Sequence, residues 1–295
     1  MTLEQLRVFV AVAERQHITR AAEALHMAQS AVSAAVAALE ARHGATLFHR
    51  VGRGIALTDA GRLFLIEARA VLARAAGAEL VLAELAGLKR GSLSVRASQT
   101  IASYWLPRHL VAFRRAYPGI DVRLTIGNTT EVARAIRDGA ADLGFVEAEV
   151  EDPLLRSRTV ARDQLVIVVA PDHRWATGSS IPALEWPDSD WVLREQGSGT
   201  RSIFEVAARE AGVLERLNVA FELPSNEAVR GAVEAGMGAT ALSASVVASS
   251  IEAGLLVAIP SVLPDRAFTL LQHIERSPSR ATAALLDIIE STPRS

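Results

Sequence analysis

The chain has 295 residues, half of them apolar, with 31 basic side chains against 33 acidic ones. That length asks for two or three domains with cores of their own, and no run approaches the roughly 18 uncharged apolar residues of a membrane-spanning helix. A net charge of −2 offers no electrostatic case for nucleic acid, and the lack of cysteine excludes disulfides and thiolate metal ligands.

Met1 leads directly into an amphipathic pattern with no basic, apolar leader, so a soluble cytoplasmic protein is expected. Thr2 and Gln5 make a capping-box pair, and Leu3, Leu6, Phe9, Val10 and Ala13 follow at helical spacing. Thr19 suits the N-cap of a second helix, whose buried side is marked by Ala21, Ala22 and Leu25. His26 to Ala28 leaves room only for a turn, after which Val32, Val36 and Leu39 recur on one stripe of a third helix that ends at Gly44. Two helices this close, the second opening on Gln29, Ser30 and Ser33, predict a helix-turn-helix that offers short polar groups to a DNA major groove. Residues 47–51 and 55–57 flank Gly52-Arg53-Gly54 and predict a small hairpin, a wing with an arginine at its tip. Residues 1–58 carry an excess of roughly +2 by side-chain count, too little to argue from.

From Thr58 to about Leu88 proline is absent and alanine and leucine dominate, which predicts one helix spanning roughly 45 Å. Its charges are too sparse to solvate such a rod, so we expect it to pair subunits. Lys89-Arg90-Gly91-Ser92 is the expected domain boundary. Beyond it, strand patterns at 93–97, 120–126 and 142–146 alternate with helical patterns, a rhythm of parallel βαβ units. A second such series runs from Gln164 through 191–193, 219–223 and the neighbourhood of Ala239 and Leu255. Residues 268–274 and a final helix opening at Pro278 close the chain. Two series of similar size predict two α/β lobes with a cleft between them.

Leu6, Phe9, Ala21-Ala22, Leu25, residues 29–33, Leu39-Glu40, Gly44, Leu47-Phe48, Arg50 and residues 57–61 together resemble the LysR-type transcriptional regulators. Fainter likeness continues through Leu106-Pro107, Phe113, Tyr117-Pro118, Gly139, residues 142–144 and 236–238. The resemblance implies a winged helix-turn-helix over 1–58, a linker and dimerisation helix over 59–90, and an effector-binding domain over 91–295 similar to periplasmic solute-binding proteins. It also implies two crossings between lobes, near 163 and 267, giving lobe I about 91–163 with 267–295 and lobe II about 164–266. The assembly it implies is a dimer of dimers. In one departure, Ala34, Ala35, Ala37 and Ala38 stand where family members carry longer polar side chains, so shape and phosphate contacts should weigh more than base readout.

The expected DNA-facing set is Thr19, Arg20, Gln29, Ser30, Ser33, Arg50 and Arg53. Arg53 is either an exposed turn residue or a minor-groove probe, and Arg50 either a DNA contact or an ion-pair partner. Ser98-Gln99-Thr100 sits between a strand and a helix, where backbone amides and the helix dipole favour an anion, and Ser198, Thr200 and Arg201 repeat that arrangement in the second series. These residues either cap helices or face one another across the cleft. Asn128, Thr129 and Asn226 open further helices. Glu147 follows the last strand of the first series, where it either orients a donor or protonated anion or is merely solvated.

Gly236-Met237-Gly238 enters a strand from a helix, the wrong context for a dinucleotide site. His17, His26, His43 and His49 lack metal-ligand spacing, and no catalytic constellation is visible. The expected function is therefore a ligand-responsive regulator with no cofactor and a small anionic effector, an inorganic oxyanion or a phosphorylated metabolite, with an aromatic carboxylate as rival. Promoter DNA and further copies of the chain are the expected partners, with RNA polymerase a further candidate. The alternatives are a solute-binding protein for a small anion, which would not explain residues 1–58, and an enzyme on the same scaffold.

Overall fold

The computed structural model describes residues 1–51, 54–85, 91–260 and 263–291, with backbone alone at 76, 77 and 79–85. Contacts divide the chain into two compact units, Met1–Leu88 with Asp138–Ala140, and the remainder. No helix among the described residues is long and apolar enough to cross a membrane.

In the first unit, α1 (Leu3–Arg15) opens on the expected capping box, with Gln5 N donating to Thr2 Oγ1 at 3.2 Å and Thr2 N to Gln5 Oε1 at 3.0 Å. Thr19 does not cap the next helix. α2 (Ile18–Leu25) starts earlier, with His17 at its N-cap and no capping side chain. Gln16 ends α1 in the left-handed region (φ 49°), so a single extended residue separates the helices and Ile18 can join the core beside Ala21, Leu25 and Met27. A second left-handed residue, His26, turns the chain into α3 (Gln29–His43), which Gly44 ends. Leu6, Phe9 and Leu39 are essentially fully buried, each contributing about 1.5–3 kcal/mol against exposure.

The wing pairs β1 (Phe48–Val51) with β2 (Gly54–Leu57), Phe48 opposite Leu57. Its tip, with Arg53, lies outside the described residues, as do Lys89 and Arg90. Glu40 in α3 accepts from Leu47 N at 2.6 Å and Phe48 N at 3.1 Å, which fixes the wing to the third helix. Thr58 Oγ1 accepts from Gly61 N at 2.9 Å and donates to Thr46 O at 2.7 Å, at the head of α4 (Asp59–Leu85). A Cβ at Gly61 would fall 2.1 Å from the Leu47 carbonyl oxygen, so only glycine lets the wing's approach strand press on this helix. Phe9 meets Phe48 and Phe64 with ring centroids 5.4 and 4.8 Å apart, so α1, wing and α4 share one core.

The second unit holds two five-stranded sheets. Its first lobe comprises β3 (Gly91–Ala97), β4 (Ile120–Ile126), β5 (Leu143–Val146), β6 (Leu155–Asp163) and, from the end of the chain, β12 (Arg266–His273), in spatial order β4-β3-β5-β12-β6. The second comprises β7 (Leu165–Val169), β8 (Asp190–Arg194), β9 (Asn218–Leu223), β10 (Ala239–Ser243) and β11 (Val257–Ile259), in order β11-β7-β10-β8-β9. The βαβ rhythm read from the sequence holds for β3 with β4 and β5 and for β8 with β9 and β10, which pair parallel, but neither sheet is purely parallel. β12 runs antiparallel to both β5 and β6, and β7 to both β10 and β11. The chain passes between sheets at Gln164, between the end of β6 and the start of β7.

Helices α5 (Leu106–Ala116), α6 (Thr129–Arg137), α7 (Gly199–Glu210), α8 (Asn226–Glu234), α9 (Ala244–Glu252) and α10 (Arg280–Ser291) cover the sheets. The turn from Ile101 to Trp105 that leads into α5 is π-helical, Leu106 N donating to Ile101 O. Pro107 has no amide proton and its ring displaces the carbonyl one turn back, which accounts for the wider turn there. Apolar clusters around Phe113, Phe145 and Leu285 in one lobe and Trp191, Phe204 and Leu242 in the other hold the carboxyl ends of the central strands in place.

Candidate functional site

The DNA-facing set is solvated. Arg20, Gln29, Ser30, Ser33 and Arg50 are exposed and Thr19 half-buried, and Ala31, Ala34, Ala37 and Ala38 are exposed on the same helix as Gln29. The buried stripe Val32, Val36 and Leu39 turns the remaining face of α3 outward. Of the two readings of Arg50, the ion pair finds no partner among the described residues. An exposed helix face of short side chains beside a two-stranded wing is a shape that fits a groove, with guanidinium groups at its border for phosphates.

The effector residues are buried. Ser98, Thr100, Thr129, Glu147, Ser198, Thr200 and Asn226 are each at most 8% exposed, although all follow strands or open helices. Thr100 Oγ1 in the first lobe accepts from Asn226 Nδ2 in the second at 3.0 Å, and Asn226 N donates to Gln99 Oε1 at 2.8 Å. Gln99 Nε2 also reaches Glu227 Oε2 at 2.5 Å. The two helix starts therefore meet. Asn128 is engaged locally, its Oδ1 accepting from Glu131 N at 3.0 Å while its own N–H donates to Glu131 Oε2 at 3.0 Å, a capping box on α6.

Arg201 departs from expectation. Its Nε donates to Glu205 Oε1 at 2.7 Å and its Nη1 to Glu222 Oε2 and, at 3.0 Å, to the Arg194 carbonyl. Hydrogen bonds and charge from these two glutamates raise its already high pKa against the opposing effect of burial. A residue two places into a helix can look back at its own strand as readily as across a cleft, which spacing alone does not distinguish.

The guanidinium that does join the two helix starts belongs to Arg266, which the sequence reading passed over. Its side chain is fully buried, with Nε 2.7 Å and Nη2 2.6 Å from Asp163 Oδ2, Nη1 2.8 Å from Thr200 Oγ1 and Nη2 3.5 Å from Thr100 Oγ1. Asp163 ends β6 and Arg266 begins β12, so the ion pair joins two strands that flank the second lobe in sequence. Ser243 Oγ donates to the other oxygen of Asp163 at 2.8 Å. Arg194 is likewise buried, held by both oxygens of Glu195 and donating to Asn226 Oδ1 at 2.6 Å. An arginine ending the apolar strand Trp191-Val192-Leu193 was the available signal for it.

Gly199 closes the approach of α7 to the first lobe, because a Cβ there would lie 2.8 Å from Thr129 Oγ1 and 3.2 Å from Glu147 Oε2. Two hydroxyls in this region, Ser98 Oγ and Thr129 Oγ1, are buried with no hydrogen-bond partner among the described residues. Glycines 236 and 238, by contrast, serve the backbone alone, as the sequence context indicated. Both have positive φ, and a Cβ at Gly238 would overlap the Asp190 carbonyl at 2.1 Å.

Comparison with known proteins agrees with both halves. Residues 3–62 match the model of the bacterial regulatory helix-turn-helix protein, lysR family, and residues 86–293 that of the LysR substrate binding domain. The chain is 34% identical to the HTH-type transcriptional regulator YeiE of Escherichia coli K12, over 97% of this chain and 96% of that one. A full-length OxyR variant from Pseudomonas aeruginosa superposes with a TM-score of 0.72 at 25% identity, covering 99% and 95% of the two chains. The Synechocystis CcmR regulatory domain, solved in complex with 2-PG, covers 68% of this chain and 96% of its own at 28% identity and a TM-score of 0.60. The winged helix-turn-helix, the two mixed α/β lobes and these matches together make the chain a member of the LysR family of DNA-binding transcriptional regulators.

Proposed function

We propose that this regulator responds to a small anion bound between the helix starts of its two lobes, and that the anion changes promoter binding by favouring one arrangement of the lobes. The observation that carries this reading is the pair of buried, unpartnered hydroxyls on Ser98 and Thr129. Buried hydroxyls are normally satisfied, and two orphans beside two helix N-termini ask for an acceptor-rich guest. Ser198 and Thr200, almost fully buried at the head of α7, supply further donors. The complex of the related CcmR domain with 2-PG supports a phosphorylated metabolite over an aromatic carboxylate. So do the hydroxyls of Ser98, Thr129, Ser198 and Thr200 and the amide of Asn226 that line the cleft.

The wing and the exposed face of α3 are the DNA-reading surface in this proposal, with Arg53 at the wing tip as a minor-groove probe. Subunits pair through α4, where Leu63, Ile66 and Val71 are exposed as a lone chain, and pairs assemble into a dimer of dimers. The test is a nuclease footprint on the DNA upstream of the protein's own gene, with and without 2-PG and inorganic phosphate. A protected region whose extent changes with one of these anions is the expected result. Thr200→Val should raise the concentration needed about tenfold, the loss of one hydrogen bond to a charged group. An unchanged response in Thr200→Val would move the effector elsewhere.

A further inference from the structure

Glu147 stands out among the buried groups of the cleft. It follows β5, is 4% exposed, and forms no hydrogen bond or ion pair among the described residues. Its Oε2 stands at the head of α7, 3.2 Å from a Cβ built on Gly199, and the orphan Thr129 hydroxyl stands 2.8 Å from the same point. Each guanidinium nearby already has its own carboxylate. Arg266 is held by Asp163, Arg194 by Glu195, and Arg201 by Glu205 and Glu222. Among the described residues no ion pair reaches Glu147.

A carboxylate is an acceptor on both oxygens, and a ligand that displaces water from Glu147 without supplying a donor leaves it unpaired in a nearly buried place, which is costly. An oxyanion that carries no proton would add like charge and still supply no donor. An anion that brings a donor of its own satisfies Glu147 with that group, while its remaining oxygens accept from Ser98 and Thr129. We propose that the effector is a donor-bearing anion, with either a hydroxyl beside its anionic group or a proton retained on the oxyanion, and that Glu147 accepts that hydrogen and so excludes proton-free anions. This rests on the reading of the cleft as an anion site, and it names the chemical class.

The discrimination has a physical precedent in sites built to bond a substrate hydroxyl. They reject analogues lacking it far more strongly than apolar pockets reject a missing methylene, because the buried acceptor is left unpaired. Two matched pairs isolate the effect on the full-length protein. Inorganic phosphate at neutral pH retains a proton that sulfate of similar size lacks, and glycolate has a hydroxyl that acetate lacks. Binding is measured by calorimetry and by shift of the melting temperature.

In the parent protein the donor-bearing member of each pair should bind at least about tenfold more tightly than its match. Glu147→Gln keeps the shape, removes the charge and adds a donor of its own, so it should admit sulfate and acetate and bring each ratio close to one. Sulfate binding the parent as tightly as phosphate, or ratios unmoved by Glu147→Gln, overturns the inference while leaving an anion site in place. If none of the four anions affects either protein, the anion reading of the cleft falls together with the inference.

Discussion

The polar residues of α3 and those of the cleft come from similar sequence signals, short hydroxyls and amides at helix starts, yet they end in opposite environments. Gln29, Ser30 and Ser33 lie in water, whereas Thr100, Thr200 and Asn226 are buried and tied to arginines from distant strands. A surface that reads a macromolecule keeps its donors hydrated until the partner displaces the water, so its residues contribute little to folding. A site that reads a small molecule must hold its donors in position beforehand, so the same residue types become part of the core. Residue type therefore says less about stability than does the environment in which the fold places the residue.

The sharpest way to break that comparison is Arg266→Ala. It strands Asp163 in the interior and should cost about 3–5 kcal/mol, a fall in melting temperature on the order of 10 °C for a unit of this size. Scanning calorimetry on the full chain would detect it, and a shift below about 2 °C would show the cleft network to be ornamental rather than structural. Gln29→Ala provides the opposite case. It should leave the melting curve in place and weaken binding to the specific operator by about 1–3 kcal/mol, with little change on random DNA. Equal losses on both DNAs in a binding titration would remove Gln29 from base readout.

A smaller effect comes from pH. His109 is buried against Trp105, with ring centroids 4.6 Å apart, and desolvation, helped by the Arg108 charge, lowers its pKa to about 4. The unfolded chain takes up this proton near the ordinary value of about 6.5 and the folded chain only near 4, so stability present above 6.5 is lost as pH falls through that window. The slope from this one group cannot exceed about 1.4 kcal/mol per pH unit. Urea melts between pH 7 and 4 should show it, and His109→Gln should flatten it. A stability that rises on acidification through this range would contradict the assignment.

How much of this was legible beforehand depended on distance along the chain. α1, α3 and the wing were readable because each is closed by its own neighbours, through a capping box, a left-handed glycine or a four-residue ladder. β6 was not, since Leu155–Asp163 is mostly polar and exposed and is a strand only because β12, more than a hundred residues later, pairs with it. α9 was missed as well, its Val-Val and Ser-Ser pairs arguing weakly for any element. Among site residues, the helix starts were visible as motifs. Arg266 was not, because nothing near it in sequence announces a partner 166 positions away. Arg201 misled for the complementary reason, its carboxylates Glu205 and Glu222 being the nearer competitors.

The missing side chain at Gly61 has a mechanical consequence. With Thr58 tied to both Thr46 and Gly61, and Phe9 wedged against Phe64, the wing and the head of α4 have no soft joint between them. A 27-residue helix is a lever of about 40 Å, and a swing of about 5° about its head displaces the far end by roughly 3.5 Å. That is about the rise of one base pair. Small angular changes at this corner are thus amplified along α4, so the packing around Gly61 decides how far the far end of the helix is displaced.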